Sequence, residues 1–520
     1  MSIHERSATV LLRRMEAREL SSEEIVTALD GRIKAVNERL NAFVLREPAA
    51  VLGEARRADE ERRAGRLRGP LHGLPVTIKD NVDVAGTDST LGMAARRDRP
   101  AAKDAAAVSL LKEAGAILLG KTNVPQLLLA QETENATFGV TRNPWNLDRV
   151  PGGSSGGEAA AIASGCSAAG IGTDIGGSIR MPAHFCGIAG LKPTLDRISN
   201  RGSQGAIPGQ EIVRAQLGPL ARSTEDLALL MRVLSPEACA AMDPAVPPLP
   251  LGDPSKVSLR GLRVGFFDDD GFLTPARCIK RAVAEAREAL EAAGAELVPY
   301  SPPSSEEIIY LWLGAISADG GRTIDAQLRG EEISPQLKPS RTTLAMPALA
   351  RKALAQVLGM SGERRLAKLL GVLGEKKVDK VWALTARRTV LRLIEHDAWN
   401  AAAIDAMICP PHVIPALPHR ASGDFTLSLS YAFRWSLLNF PAGIVPVTRV
   451  RPDETQETRH GKLDKVEKKL LSILQGSAGL PLGVQVVARP YREDLVLALM
   501  AAIEAHAIGR EGFPKTPVDP

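Results

Sequence analysis

Residues 150–193, VPGGSSGGEAAAIASGCSAAGIGTDIGGSIRMPAHFCGIAGLKP, constrain this chain more than any other stretch. They carry glycine-flanked serines at two places, Ser154 and Ser155 in GGSSGG and Ser178 in TDIGGSIR. Glycine lets a backbone take positive φ and approach a ligand closely, at an entropic cost that an ordinary loop has no reason to bear. Ser178 follows Ile175, Gly176 and Gly177, so consecutive backbone N–H groups can converge on one point. Convergent N–H groups form an anion-binding nest, the arrangement that acyl transfer requires for a developing oxyanion. Ser178 is therefore read as a nucleophile whose own loop supplies the oxyanion hole. The competing reading is a glycine-rich turn packed against a helix. It would suffice for one Gly-Gly-Ser, but two such loops joined by the small-residue stretch 159–172 argue against it.

The flanks refine this reading. The run from Glu158 to Ser164, EAAAIAS, predicts a helix whose N-terminus carries Ser154 and Ser155, placing positive dipole and free N–H groups beside them. Arg180 is near enough in sequence to pair with Asp174 and hold the loop. GGSSG also satisfies G-x-S-x-G, but that nucleophile elbow needs a strand directly before it, and TRNPWNLDRVP reads as a loop. His412 and His419 lie in a proline-rich loop and His460 in a charged one, so none is an obvious partner, and a Ser-His-Asp hydrolase is the mechanistic runner-up.

Composition sets outer limits. A chain of 520 residues can bury a large α/β core or two to three smaller ones. With 65 basic and 60 acidic residues the charge is too balanced for a nucleic-acid binder. Five widely spaced cysteines without a C-x-x-C pair argue against disulfides and zinc, and for a reducing, cytoplasmic compartment. The start lacks a signal-peptide core, and no run of ~18 apolar residues occurs, so the chain is not expected to span a membrane.

Residues 7–66 read as helices, with a Ser21/Glu24 capping box ahead of a seam of Ile25, Leu29, Ile33, Val36 and Leu40. The mixed-charge stretch 54–66 reads as a solvated helix face. Residues 73–84, GLPVTIKDNVDV, read as a buried strand with Lys79 at its C-terminal end, where α/β sheets present their chemistry. Residues 115–122, GAILLGKT, match the P-loop pattern letter for letter. A P-loop needs a strand before its first glycine and a phosphate-cradling turn after it. Here Ala116–Leu119 are themselves strand-like, so a nucleotide-binding protein is the alternative from a different class. Residues 261–299 predict a strand–helix–strand unit, 443–448 and 479–488 two more buried strands, and 493–506 an amphipathic closing helix. Residues 451–469 read as an exposed loop followed by a helix.

GGSSGG, TDIGGSIR, GLPVTIKD, GKTNVP and GLPLGVQVVA stand in the order in which similar motifs occur in the amidase signature family, which this chain resembles from about Leu71 to its end. Within that family SSGGE, GLKPT and NFPAGIVPVT resemble the branch that cleaves long-chain fatty acid amides. The resemblance implies an α/β fold, a large mostly parallel mixed sheet flanked by helices, spanning 71–515 with an N-terminal helical segment 1–70. It implies a cofactor-free, metal-free serine amidohydrolase acting through an acyl-enzyme. Ser178 is then the nucleophile, Ser154 the bridging serine and Lys79 the base. Ile175, Gly176, Gly177 and Ser178 supply the oxyanion N–H groups, and Gly153, Ser155, Thr173, Asp174 and Arg180 support them. A cis peptide is implied at Gly153–Ser154, and a homodimer for the assembly. Within the same family, a broad aryl or short-chain amidase and the amidase component of a transamidation complex are the alternatives.

The chemistry stands apart from the resemblance. A serine hydroxyl needs a base, and a lysine serves only when neutral, its pKa lowered from ~10.4 toward ~7–8 by burial. The apolar strand around Lys79 can do this. Residues 346–377 carry a stripe of Leu366, Leu369, Leu370 and Leu373 among basic side chains. Such a basic amphipathic helix pair can lie in a bilayer interface as a peripheral cap where lipid substrates enter. An ordinary helical hairpin packed on the core or on a second copy of the chain explains the pattern equally well.

Overall fold

The apolar runs bounded by glycine and proline become strands of one mixed sheet in the computed structural model, which describes residues 2–520. Its eleven strands are β1 (Phe43–Leu45), β2 (Pro75–Lys79), β3 (Ile117–Thr122), β4 (Ala169–Asp174), β5 (Ala189–Lys192), β6 (Gln216–Ala221), β7 (Arg263–Phe266), β8 (Glu296–Pro299), β9 (Ala406–Cys409), β10 (Ala442–Arg449) and β11 (Pro481–Ala488). Their order across the sheet is β1-β3-β2-β4-β6-β5-β10-β11-β9-β7-β8. Pairing is parallel where β2 meets β3 and β4, and where β7 meets β8 and β9. The centre, from β4 through β6, β5, β10 and β11 to β9, pairs antiparallel. Helices flank the sheet, so the expected α/β architecture holds.

β2 has a strand on each side, and all five of its residues are buried. It is shorter than the run 73–84 suggested, stopping at Lys79. Register places Lys79 beside Thr122 at the end of β3. The carboxyl ends of adjacent parallel strands are where an open α/β sheet leaves room for a ligand.

The N-terminal seam is buried as its period requires, and Ser21 and Glu24 form both bonds of the capping box on the helix Ser22–Leu40. Residues 43–45 depart from the helical expectation. They form β1, antiparallel to β3, where the aromatic and β-branched pair Phe43-Val44 suits an edge strand. The charged helix Pro48–Arg63 exposes Arg56 and Arg57, yet buries Asp59, which accepts from the N–H groups of Ser22 and Glu23.

GAILLGKT is no phosphate loop. The helix Ala106–Glu113 precedes it, and Gly120, Lys121 and Thr122 lie within β3. Lys121 Nζ donates to Asp88 O at 2.5 Å and Ser89 Oγ at 3.2 Å. The strand–helix–strand unit appears as β7, the helix Arg277–Ala292 and β8, and the closing helix Glu493–Ala507 packs on β10. The polar stretch after β10 leads into the helix Lys465–Leu474.

Residues 346–377 are helical, as Ala348–Met360 and Arg364–Val372, following the helix Lys338–Ala345. The leucine stripe does not face outward, which corrects the bilayer reading of those four residues. Leu366, Leu369 and Leu373 pack against the main core, and Leu369, Leu370 and Leu373 line the cavity that also contains Ser178. The outward apolar surface belongs to the neighbouring helix, where Leu349 is 82% and Met360 86% exposed. Every residue of Ala348–Met360 escapes full burial. Among the described residues, no helix is long and apolar enough to cross a membrane.

Candidate active site

Lys79 leaves the end of β2 with no solvent exposure, and its Nζ donates to Ser154 Oγ at 2.8 Å. Thr173, at the end of the adjacent β4, takes two further bonds from Nζ, at 2.8 Å on its Oγ1 and 3.3 Å on its carbonyl. Burial drives the Lys79 amine down to about 7, against the opposing pull of Asp174, Glu158 and Asp80. That falls within the range in which a lysine can act as a base near neutral pH.

Ser154 and Ser155 precede the helix Gly156–Ala163, with Ser155 at its N-cap. The Gly153–Ser154 peptide is cis. A Cβ on Gly153 would come within 2.5 Å of Ala130 O, so only glycine fits this approach. Ser155 N–H donates to Ser178 O at 3.1 Å, which ties the two serine loops together. Ser178 itself is half-buried and opens into a cavity.

The Ser178 loop is braced from beneath by Asp174. Its carboxylate accepts from Gly177 N–H at 2.7 Å and Ile179 N–H at 3.1 Å, and pairs with Arg180. Burial alone would raise this carboxyl, but the Arg180 guanidinium outweighs it and holds Asp174 at about 2. Arg180 also donates to Ser436 Oγ and Gln485 Oε1, anchoring the loop to two more elements. The Gly177 N–H is therefore engaged within the loop. Among the described residues, the N–H groups of Ile175, Gly176 and Ser178 find no acceptor. Gly177 has φ +119°, a value that disfavours any side chain. Over Gly176 lie Trp312 and Phe433, stacked at 3.8 Å.

Glu158, in the sequence only a residue of the helix EAAAIAS, is wholly buried near Lys79. Thr122 Oγ1 donates to its Oε2 at 2.6 Å and Thr77 Oγ1 to its Oε1, so it joins β2, β3 and the helix that carries Ser155. Burial pushes its carboxyl up to about 7, with the two threonines and Lys79 pulling the other way. A single carboxylate in the small-residue helix GGEAAAIA was the available signal, because such a group must find buried partners.

No histidine bonds to Ser154 or Ser178 among the described residues. His412 instead sits 2.8 Å from Ser428 Oγ and 3.2 Å from Gln131 Oε1. The cavity at Ser178 has a volume of about 300 Å³. Its walls are mainly apolar, including Met181, Trp312, Phe433, Leu369 and Leu370. An enclosure of this kind suits a mostly hydrocarbon ligand with a few fixed polar groups at one end.

The family model described as Amidase matches residues 24–497. Fatty-acid amide hydrolase 1 of Sus scrofa is 38% identical over 444 residues, covering 84% of this chain and 76% of that protein. A glutamyl-tRNA(Gln) amidotransferase subunit of Synechococcus sp. (strain CC9605) is 32% identical, covering 95% of this chain and 94% of that one. A solved fatty acid amide hydrolase superposes with a TM-score of 0.81 at 28% identity, over 97% of this chain and 85% of that chain.

Proposed function

The chain belongs to the amidase family and is an amide hydrolase; from that premise we propose that it cleaves long-chain fatty acid amides through Ser178, with Ser154 and Lys79 as the proton relay. Neutral Lys79 takes the proton of Ser154, which takes that of Ser178 as Ser178 Oγ attacks the amide carbon. Negative charge on the former carbonyl oxygen is received by the N–H groups of Ile175, Gly176 and Ser178, with Gly177 held back by Asp174. The proton returns along the same path to the leaving nitrogen, the C–N bond breaks, and water then hydrolyses the acyl-enzyme.

One observation carries the substrate reading. Ser178 shares a single apolar cavity of about 300 Å³ with Leu369, Leu370 and Leu373, more than a short acyl group needs. The exposed apolar helix Ala348–Met360 joins two helices that line this cavity. We assign to it a peripheral contact with a lipid surface, from which such a substrate would enter. The similarity to amidotransferase subunits supports a second reading, transfer of ammonia within a complex. A panel of acyl amides from short to long, on wild type and Ser178→Ala, separates the two. We expect kcat/KM to rise with chain length and to vanish in the variant. A flat or falling series, or glutamine as the best substrate, would sink the fatty-amide reading.

A further inference from the structure

A second cavity, of about 70 Å³, lies at the end of β5 and shares no lining residue with the one at Ser178. At the ~10–15 Å³ that one water requires, it has room for roughly five waters or one tetrahedral oxoanion. Lys192, Arg214, Arg388 and Arg392 stand around it.

The carboxylates nearby already have cationic partners. Asp196 accepts from both Nη atoms of Arg214 at 2.9 Å, and Glu211 sits 3.2 Å from its Nε. Asp174 and Glu493, the carboxylates that act on Lys192, are paired with Arg180 and Arg197. That leaves two guanidinium cations and the Lys192 amine, which burial and then Arg180 bring down to about 7, so that a bound anion would favour its charged form. Lys192 is 3% exposed and places one of its three N–H donors, on Pro193 O at 2.8 Å. Arg388 donates to the carbonyls of Glu211 and Ile212, and its buried Nε finds no acceptor. Arg392 makes no hydrogen bond or ion pair with any described residue. Burial, then Arg392 and Arg214, hold the Arg388 guanidinium below its ordinary range against the opposing pull of Glu211.

Asp196 and Glu211 offset Arg214 and part of Arg388, and the like charges that remain at this partly enclosed site oppose folding unless something neutralises them. We infer that this cavity binds a phosphate-class oxoanion, held by Lys192, Arg388 and Arg392. Donors arriving from three side chains match an anion with several oxygens better than the two of a carboxylate. The same chemistry fits a soluble phosphate and a phosphomonoester lipid headgroup.

Isothermal titration of inorganic phosphate into the full chain, against chloride at equal ionic strength, tests the soluble source. Co-sedimentation with phosphatidylcholine vesicles, with and without phosphatidic acid, tests the lipid source. Wild type and Arg392→Gln are compared in both. We expect saturable binding in one arm and at least a tenfold loss of affinity in the variant. Because Arg392 has no protein partner, unliganded Arg392→Gln should melt at or above the wild-type temperature. Response to phosphate identifies a soluble ligand, and response confined to phosphatidic acid identifies a headgroup. Absence of binding in both arms, equal binding by wild type and variant, or a lower melting temperature for the unliganded variant would overturn the inference.

Discussion

Lys79 as a neutral amine has two hydrogens and one lone pair, and its surroundings match that count. The carbonyl and hydroxyl of Thr173 accept the two hydrogens, so the contact with Ser154, which the ammonium donates, reverses on deprotonation and the lone pair accepts from the Ser154 hydroxyl. No carboxylate bonds to Nζ directly, so nothing locks it as an ammonium. Removing the amine by Lys79→Ala should cost roughly 10²–10⁴ in amide turnover, the usual worth of a general base. The matched ester should lose much less, because its alcohol leaves without the proton that an amine requires. Equal losses on amide and ester would count against the relay. For the wild type, kcat/KM on amides should climb with pH and level off above about 7, as the amine loses its proton. Glu158 favours the ammonium through its charge, so Glu158→Gln should move that climb to lower pH while one threonine bond persists and the other reverses, the new NH2 donating to the hydroxyl. A climb at unchanged pH would make Glu158 a structural clamp and nothing more.

The helix Arg364–Val372 marks where an element's sequence stops informing. Its period declares an apolar face, but core, bilayer and substrate cavity are all apolar and impose the same spacing. Only the packed chain decides among them, and it turns Leu369 and Leu370 toward the cavity. By contrast the Ser154 and Ser178 loops were legible because glycine and serine at those spacings answer to backbone geometry that little else requires. Thr173 was legible as a neighbour of Asp174, whereas Glu158 needed β3 in place before its partner Thr122 could be seen. Two variants, one single and one double, separate the roles of the adjoining helices. Leu370→Glu puts a carboxylate in the cavity and should reduce kcat/KM for long acyl amides at least tenfold more than for short ones. Leu349→Glu/Met360→Glu should cut vesicle co-sedimentation and leave hydrolysis of a short soluble amide within about twofold, since both side chains are exposed. Vesicle binding unchanged by the second pair would remove the assignment of that helix to a lipid surface.

For the molecule as a whole, individual strands could be read from apolar runs, whereas their order could not. β5 and β6 exchange places relative to the chain, and β9 joins β7 to β11 across the sheet, pairings that depend on segments far apart in sequence. That order brings the ends of β2, β3 and β4 together and buries Lys79 among them, at a cost shared by the entire fold. A lysine at 10.5 when unfolded and about 7 when folded opposes folding by up to about 5 kcal/mol near pH 7, at ~1.4 kcal/mol for each tenfold step in proton affinity. The sign follows from proton counts. Between about 7 and 10.5 the unfolded chain holds more protons at this residue, so its contribution to stability improves as pH rises. Lys79→Met removes the cost along with three hydrogen bonds, so the variant should be inactive yet more stable at pH 7 by roughly 1–4 kcal/mol. At about 2 cal/mol/K per residue, a chain this long shifts its melting temperature by only ~1 °C per kcal/mol, so denaturant titrations at several pH values are the suitable measurement. The advantage of the variant should shrink steadily as pH approaches 10.5, where the unfolded lysine also loses its charge. Once the ammonium no longer lowers it, Glu158 titrates above about 7, so its own deprotonation also erodes the variant's advantage just above 7, and the part of the trend that continues toward 10.5 is what reports the lysine. A constant difference across the alkaline range would mean that the buried amine is not what the variant relieved.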